Sequence, residues 1–183
     1  MNRKVLTGLV VVVVLFLAAY FASPLLAVRG LISAAKAGDE AKLERLVDFP
    51  AFRDSLKDEL NARLRAEMRE DLRARDSALA GLGMMLAPSL IGSAVDALVT
   101  PSAVATMVRT AEAPDPADRT THDKGAGDDG DLRQSYGYRG LNTFAVTLTD
   151  PDAPNRRLVL LMERRNVFGW KLAGIDLTAP PAP

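Results

Sequence analysis

The sequence predicts an α+β protein: an N-terminal transmembrane helix, then several helices packed on one face of a three- to four-stranded antiparallel meander. Three observations predict this class. An uncharged apolar run follows the first few residues, helical spacing of apolar residues continues to about residue 110, and two-residue alternation dominates after about residue 132. Helices that precede a run of strands are typical of α+β domains, because the helices then gather on one side of the sheet.

The first element is an apolar run, Val5 to Ala22, that contains no charged residue. At 1.5 Å per residue, about 18 residues cover most of the ~30 Å hydrocarbon core of a bilayer. Arg3 and Lys4 precede the run and favour an orientation with the N-terminus in the cytoplasm. We therefore expect residues 1–23 to be a single-pass signal anchor in a bacterial inner membrane, with the remainder in the periplasm. A cleaved signal peptide is the alternative.

The helical part of the domain is predicted over residues 24–110. Ser23 and Pro24 together are typical of a helix start, so the anchor and the next helix are expected to be separate. Gly38 and Asp39 indicate the end of that helix and the start of another.

A long helix is predicted to follow Pro50, from residue 51 to about residue 75. An apolar residue recurs there at every fourth position, a spacing that creeps around the helix and predicts partners that change along its length. The recurring residues are Phe52, Leu56, Leu60, Leu64, Met68 and Leu72.

The stretch 78–95 is uncharged and contains glycines and Pro88, and its interpretation stays open. Two short helices buried against the sheet are expected, because glycine and proline make a poor spanning helix. The alternative is a second membrane-inserted segment over 78–99, for which the length is sufficient.

The C-terminal part is predicted to be an antiparallel sheet over residues 133–178, preceded by a flexible acidic loop over 111–132 and followed by a disordered tail over 179–183. Residues 24–178 would form one domain. Alternating apolar residues predict a strand near Val146, and 158–162 is apolar on both faces, which is typical of a central strand. A last strand is expected over 170–177, with an edge strand through Tyr136 and Tyr138.

Composition excludes several classes of function. The chain has 23 basic and 23 acidic residues, so no overall field would recruit nucleic acid, and no nucleic-acid partner is expected. It contains no cysteine, which excludes disulfides, thiolate metal sites and cysteine nucleophiles.

No catalytic, cofactor or metal site is expected. His122 is the sole histidine and lies in the acidic loop without a nucleophile or second ligand near it in sequence. Residues 125–130 match a dinucleotide-binding glycine pattern, but Asp128 and Asp129 would repel a pyrophosphate. The loop aspartates fit no EF-hand spacing, so a solvated acidic loop is expected, with weak calcium binding as the alternative. A cluster of basic residues is expected to be solvated at the strand ends, with lipid headgroups as the alternative partner. It consists of Arg156, Arg157, Arg164, Arg165 and Lys171.

Five short stretches occur in an order and spacing that resemble a family of bacterial membrane-anchored proteins, the domain of unknown function family 2939. They are residues 20–24 (YFASP), 34–39 (AAKAGD), 46–53 (LVDFPAFR), 98–101 (LVTP) and 168–172 (FGWKL). The order of elements is also similar to nuclear-transport-factor-like and cystatin-like folds. These resemblances imply an anchor and a conical domain with a pocket between sheet and helices, and they imply no catalytic residues.

Three functional hypotheses remain. The first is a non-catalytic binding module near the membrane, with Tyr136, Tyr138 and Trp170 at a pocket or interface. Its expected partners are the inner membrane through Val5 to Ala22, a protein or small apolar ligand, and in an open alternative a second copy of the chain. The second hypothesis is a small-molecule enzyme that uses the same pocket, with Asp48 and Asp176 beside the tyrosines as acid–base candidates. The third is a structural membrane component that inserts residues 78–99.

Overall fold

The computed structural model describes residues 3–74, 92–111, 132–151 and 157–177. Helices come first and strands follow, which confirms the predicted α+β class. The helices are α1 (Arg3–Ala37), α2 (Glu40–Leu46), α3 (Phe49–Ala74), α4, whose described part is 92–98, and α5 (Pro101–Thr110). The strands are β1 (Arg133–Gly140), β2 (Thr143–Thr149), β3 (Arg157–Arg164) and β4 (Trp170–Asp176).

The four strands form an antiparallel meander in the order β1-β2-β3-β4. In the register of β2 and β3, Phe144 lies opposite Met162 and Val146 opposite Leu160. These side chains share one face of the sheet, because residues two apart on a strand point the same way. All four are buried, so β2 and β3 are the interior strands and this face carries the core.

The helices cover the apolar face of the sheet and bury their own apolar sides against it. Val28 and Leu31 of α1, Leu43 of α2 and Val104 of α5 are almost completely buried in this core. In α3 the apolar stripe is buried at Phe52 and Leu56 but only half-buried at Leu60 and Leu64. Burial of this apolar side therefore declines from the start of α3 to Leu64.

The β4 edge of the sheet is covered by the link between α2 and α3 and by α3 itself. Val47 forms a parallel bridge with Leu172, and the Asp48 N–H donates to the Leu172 carbonyl at 2.8 Å. Further along, the Ser55 hydroxyl accepts from the Ile175 N–H at 3.1 Å, and the Glu59 carboxylate accepts from the Leu177 N–H at 3.3 Å. Side chains of α3 thus take the place of a fifth strand.

Two helix boundaries follow from local chemistry. Gly38 adopts a positive φ of 64° after α1, and the Asp39 carboxylate accepts from the Lys42 N–H at the start of α2, as predicted. The predicted boundary at Pro50 is displaced: α3 begins at Phe49, and Asp48 precedes it as the capping residue. Pro50 therefore lies in the first turn, where its missing N–H would have no helical partner.

The anchor and the following helix are not separate elements, contrary to the expected start at Ser23 and Pro24. α1 runs without interruption from Arg3 to Ala37, with Pro24 inside it. Proline cannot donate a hydrogen bond to the carbonyl four residues earlier, which belongs to Tyr20. The Ser23 hydroxyl donates to that carbonyl at 2.8 Å instead, so the helix continues with the carbonyl satisfied.

The N-terminal half of α1 is long and apolar enough to cross a membrane, and among the described residues no other helix meets that criterion. Its large apolar side chains from Val5 to Leu17 are about half exposed. This part of the chain is consistent with a single-pass anchor or a signal sequence.

Several predicted features lie outside the described residues. They include most of the ambiguous stretch 78–95, nearly all of the acidic loop 111–132 with His122, and the tail 179–183. Of the segment after residue 91, Val95 and Val99 are buried in the core.

Candidate functional site

The sheet is joined to α1 at the point where the apolar run ends, in a cluster that we call the joint. It consists of Tyr20, Phe21 and Ser23 of α1 with Tyr138, Arg164 and Trp170 of the sheet. The buried Trp170 indole donates from Nε1 to the Ser23 hydroxyl at 2.8 Å. The Tyr138 hydroxyl donates to the Phe21 carbonyl at 2.9 Å. Both contacts fall within three residues of Pro24, so the sheet is attached where proline disturbs the helical hydrogen bonds.

Arg164 is the central cation of the joint. Its guanidinium carbon lies 3.8 Å from the centre of the Tyr20 ring and 4.2 Å from the centre of the Trp170 rings. A guanidinium stacked on aromatic faces gains cation–π attraction while it remains charged. Solvation at a strand end, expected from the sequence, is therefore replaced by ring contacts that hold β3 against α1.

The aromatic rings of the joint continue into the core. Tyr138 contacts the Phe144 ring at 4.9 Å and the Trp170 ring at 6.2 Å between centroids. Burial of the Tyr138 hydroxyl raises its pKa, an effect that the positive charge of Arg164 opposes and the neighbouring Tyr20 reinforces. A tyrosine hydroxyl is protonated in the neutral range in any case, and the raised pKa extends to higher pH the range in which Tyr138 can donate.

The structure places the three residues predicted at a pocket or interface around one ring, that of Phe144. Tyr136 stacks on Phe144 at 6.3 Å, and Tyr138 and Trp170 contact it from other sides. Trp170 is buried and belongs to the core, whereas Tyr136 and Tyr138 are 45% and 41% exposed. The two tyrosines are therefore available at the surface of β1, and the tryptophan is not.

A shallow open groove of about 590 Å³ lies between α1 and β1. The residues that line the groove are Arg29, Ile32, Ser33, Lys36 and Ala37 of α1 and Gln134 of β1. The α1 residues recur at the three- and four-residue spacing of a single helix face. Arg29 and Lys36 make no ion pair within the part of the chain that the structure describes, and the lining includes no carboxylate.

Strand β1 forms the free edge of the sheet beside this groove. Every residue from Arg133 to Gly140 is exposed, and β1 pairs on one side only, with β2, as far as the described residues extend. A free edge presents backbone N–H and C=O groups that another extended chain can pair with. The opposite edge, at β4, is covered by α3.

The acid–base candidates of the enzyme hypothesis have structural partners. Asp48 forms an ion pair with Arg165 at 2.8 Å, and Asp176 forms one with Arg139 on the first strand. Burial lowers the pKa of Arg165, but its hydrogen bonds to Glu163 and Asp48 outweigh that effect and raise the pKa. Among the residues described, no three His, Cys, Asp or Glu side chains lie close enough together to hold a metal ion.

The sequence did not identify Ser23, Tyr20 and Arg164 as contacts between α1 and the sheet. The available signal was a serine directly before a proline inside a long apolar helix. The proline leaves the Tyr20 carbonyl without its helical donor and the serine hydroxyl satisfies that carbonyl, so the pair is also compatible with the interior of a helix.

Comparison with known proteins gives one match. No curated protein and no solved structure matches the chain. The similarity to nuclear-transport-factor-like and cystatin-like folds therefore stays a prediction. The family model described as "Protein of unknown function (DUF2939)" matches residues 13–107, which are more than half of the chain. The match begins inside the apolar run and ends inside α5, and the chain belongs to this family.

Proposed function

We propose that the protein is a single-pass anchored, non-catalytic interaction module that binds an extended, acidic segment of a partner protein along the free edge of β1. The observation that carries this proposal is the position of the wholly exposed edge strand beside the groove. A peptide that pairs with β1 would place alternate side chains over the groove, where α1 contributes the opposite wall.

The chemistry of the groove favours a protein partner over a small apolar ligand. Ligand pockets for small apolar molecules are enclosed and largely apolar. The groove is open, and Arg29, Lys36, Ser33 and Gln134 contribute polar groups to it. Arg29 and Lys36 without acidic neighbours in the lining attract carboxylates, so acidic side chains are expected in the bound segment.

The anchor supports a location at the membrane. The apolar run, with Arg3 and Lys4 before it, favours insertion with the N-terminus in the cytoplasm and the domain in the periplasm of a bacterium. The joint supports an anchor that stays attached, because Tyr20, Phe21 and Ser23 all contact the sheet. Removal of those residues as part of a signal peptide would strip the domain of packing partners.

In-cell photo-crosslinking tests the binding proposal. A photoreactive residue at Gln134 should form a discrete adduct with a protein, and the same residue at the exposed Asp58 of α3, a helix at the opposite edge of the sheet, is the matched control. Charge reversal in the groove, Arg29→Glu with Lys36→Glu, should abolish the Gln134 adduct. An adduct at twice the chain mass would identify a second copy as the partner. Equal adducts at both positions, or an adduct indifferent to charge reversal, would contradict the proposal.

A separate experiment tests on which side of the inner membrane the domain lies. Because the chain has no cysteine, Ser33→Cys provides a single exposed thiol just after the apolar run. A membrane-impermeant maleimide should label it in cells whose outer membrane alone is permeabilised. Labelling that requires lysis of the inner membrane would place the domain in the cytoplasm.

A further inference from the structure

Three large apolar side chains are exposed at two neighbouring turns of the sheet, a surface that we call the tip. Leu141 follows β1 and is 74% exposed, and Val167 and Phe168, between β3 and β4, are 52% and 46% exposed. Outside α1, the other large exposed apolar side chains of the described residues are Tyr136 and Tyr138. Exposed apolar area beyond α1 is thus concentrated on β1 and the tip.

The two turns are held together as one unit. The Arg164 N–H donates to the Asn142 carbonyl at 3.0 Å, and the Arg164 guanidinium donates to the Val167 carbonyl at 2.5 Å. The same guanidinium stacks on Tyr20, as described above. The tip therefore keeps a fixed position relative to α1.

The position of the tip along α1 is set by a ring contact. Phe168 meets Phe16 edge to face with 5.5 Å between ring centroids. Phe16 lies six residues inside the apolar run from its end at Ala22, which corresponds to about 9 Å along the helix axis. A tip in contact with Phe16 shares the depth of Phe16.

We propose that the tip inserts into the lipid bilayer that holds α1, so that Leu141, Val167 and Phe168 lie in the acyl-chain region at about the depth of Phe16. The run from Val5 to Ala22 is about 27 Å long, slightly shorter than a ~30 Å hydrocarbon core. It therefore has no spare length with which to slide outward and lift Phe16 and the tip into water. This inference depends on the anchor of the proposed function but not on its binding edge.

The polar groups of the tip are compatible with such a location. The Asn166 side chain accepts from the Gly169 N–H at 2.6 Å and the Phe168 N–H at 3.3 Å, so these backbone donors do not require water. Arg165 forms ion pairs with Asp48 and Glu163, so its charge has partners within the protein. Tyr20 and Trp170 lie where the run ends, the position at which aromatic residues concentrate in membrane proteins.

Depth measurement by electron paramagnetic resonance tests the inference on the full chain. Single-cysteine variants Phe168→Cys and Leu141→Cys carry a nitroxide label in nanodiscs of phosphatidylcholine and phosphatidylglycerol, and collisions with oxygen and with a water-soluble nickel chelate are compared. Leu17→Cys in the apolar run is the membrane reference, and Ser33→Cys is the aqueous reference. Trp170 fluorescence verifies that each variant is folded.

Both tip labels should show an oxygen-to-nickel collision ratio several-fold above that of Ser33→Cys and close to that of Leu17→Cys. A tip ratio equal to that of Ser33→Cys, with Leu17→Cys buried in lipid, would overturn the inference and leave the anchor intact. An aqueous ratio at Leu17→Cys would instead show that the anchor itself, and with it this part of the proposed function, is wrong.

Discussion

Removal of one hydroxyl at the joint, in Ser23→Ala, should weaken the folded domain far more than an ordinary serine truncation. Ser23 is 6% exposed and serves two partners: it accepts from the Trp170 indole and donates to the Tyr20 carbonyl. Pro24 leaves that carbonyl without its helical donor. The substitution therefore leaves one buried donor, the Trp170 indole, and one part-buried acceptor, the Tyr20 carbonyl, without partners.

The expected cost follows from those two groups. A buried polar group without a partner costs about 1–3 kcal/mol, and the part-buried carbonyl should cost about 1 kcal/mol, the low end of that range, so the substitution should lower the free energy of unfolding by about 2–4 kcal/mol. For a chain of this size the melting temperature should fall by roughly 5–15 °C. When position 24 regains an N–H, in Pro24→Ala, that N–H donates to the Tyr20 carbonyl. In this background Ser23→Ala should cost about half as much, a coupling of about 1–2 kcal/mol.

Urea and thermal unfolding in detergent micelles measure these values. Trp170 is the only tryptophan and lies in the joint, so its emission reports the transition directly. Ser33→Ala, on the exposed side of the same helix, is the matched control and should change stability by less than about 0.5 kcal/mol. A Ser23→Ala variant as stable as this control, or equal costs with and without Pro24, would refute the account of the joint.

Three further predictions concern the domain. Folding raises the pKa of Tyr138, so the stability gained from its protonated hydroxyl is fully present below about pH 10 and is lost as the pH rises through the raised pKa. In Tyr138→Phe this loss of stability at alkaline pH should be absent, as unfolding measured against pH would show. In Gly174→Ala the new methyl would lie 2.7 Å from the Ser55 hydroxyl, so about 1–3 kcal/mol should be lost in urea unfolding, whereas Gly137→Ala, with no atom within 4 Å, should be nearly neutral. Asp39→Ala removes the cap of α2 and should cost about 1 kcal/mol by the same measurement, and an unchanged midpoint would show that the cap does not contribute.

The sequence predicted the elements that depend on periodicity and local caps. Alternation near Val146 and the doubly apolar stretch 158–162 correctly indicated the interior strands, and Gly38 with Asp39 correctly located the turn between α1 and α2. These signals are local, because each depends on neighbouring residues along the chain.

Long-range pairing explains what the sequence could not predict. The Ser23–Pro24 pair is a good helix start in isolation. Its role within one continuous helix depends on a hydrogen bond from the indole of Trp170, which is 147 residues away and links the serine to the sheet. Arg164 was assigned to solvent because its ring partners, Tyr20 and Trp170, become neighbours only after α1 packs on the sheet. The groove was not predicted for the same reason, since α1 and Gln134 are brought together by the fold.

The apolar run and the first helix of the domain form one continuous helix, and the proposed function requires this helix to hold the domain at the bilayer. A double electron–electron resonance measurement between nitroxides at Thr7→Cys and Ser33→Cys, on the full chain in nanodiscs, tests it most directly. A continuous helix places these positions 26 residues apart, which predicts one narrow distance distribution near 39 Å, broadened only by the label tethers. A broad or shorter distribution would show a hinge at Pro24, and a missing dipolar signal would show that the segment carrying residue 7 has been removed.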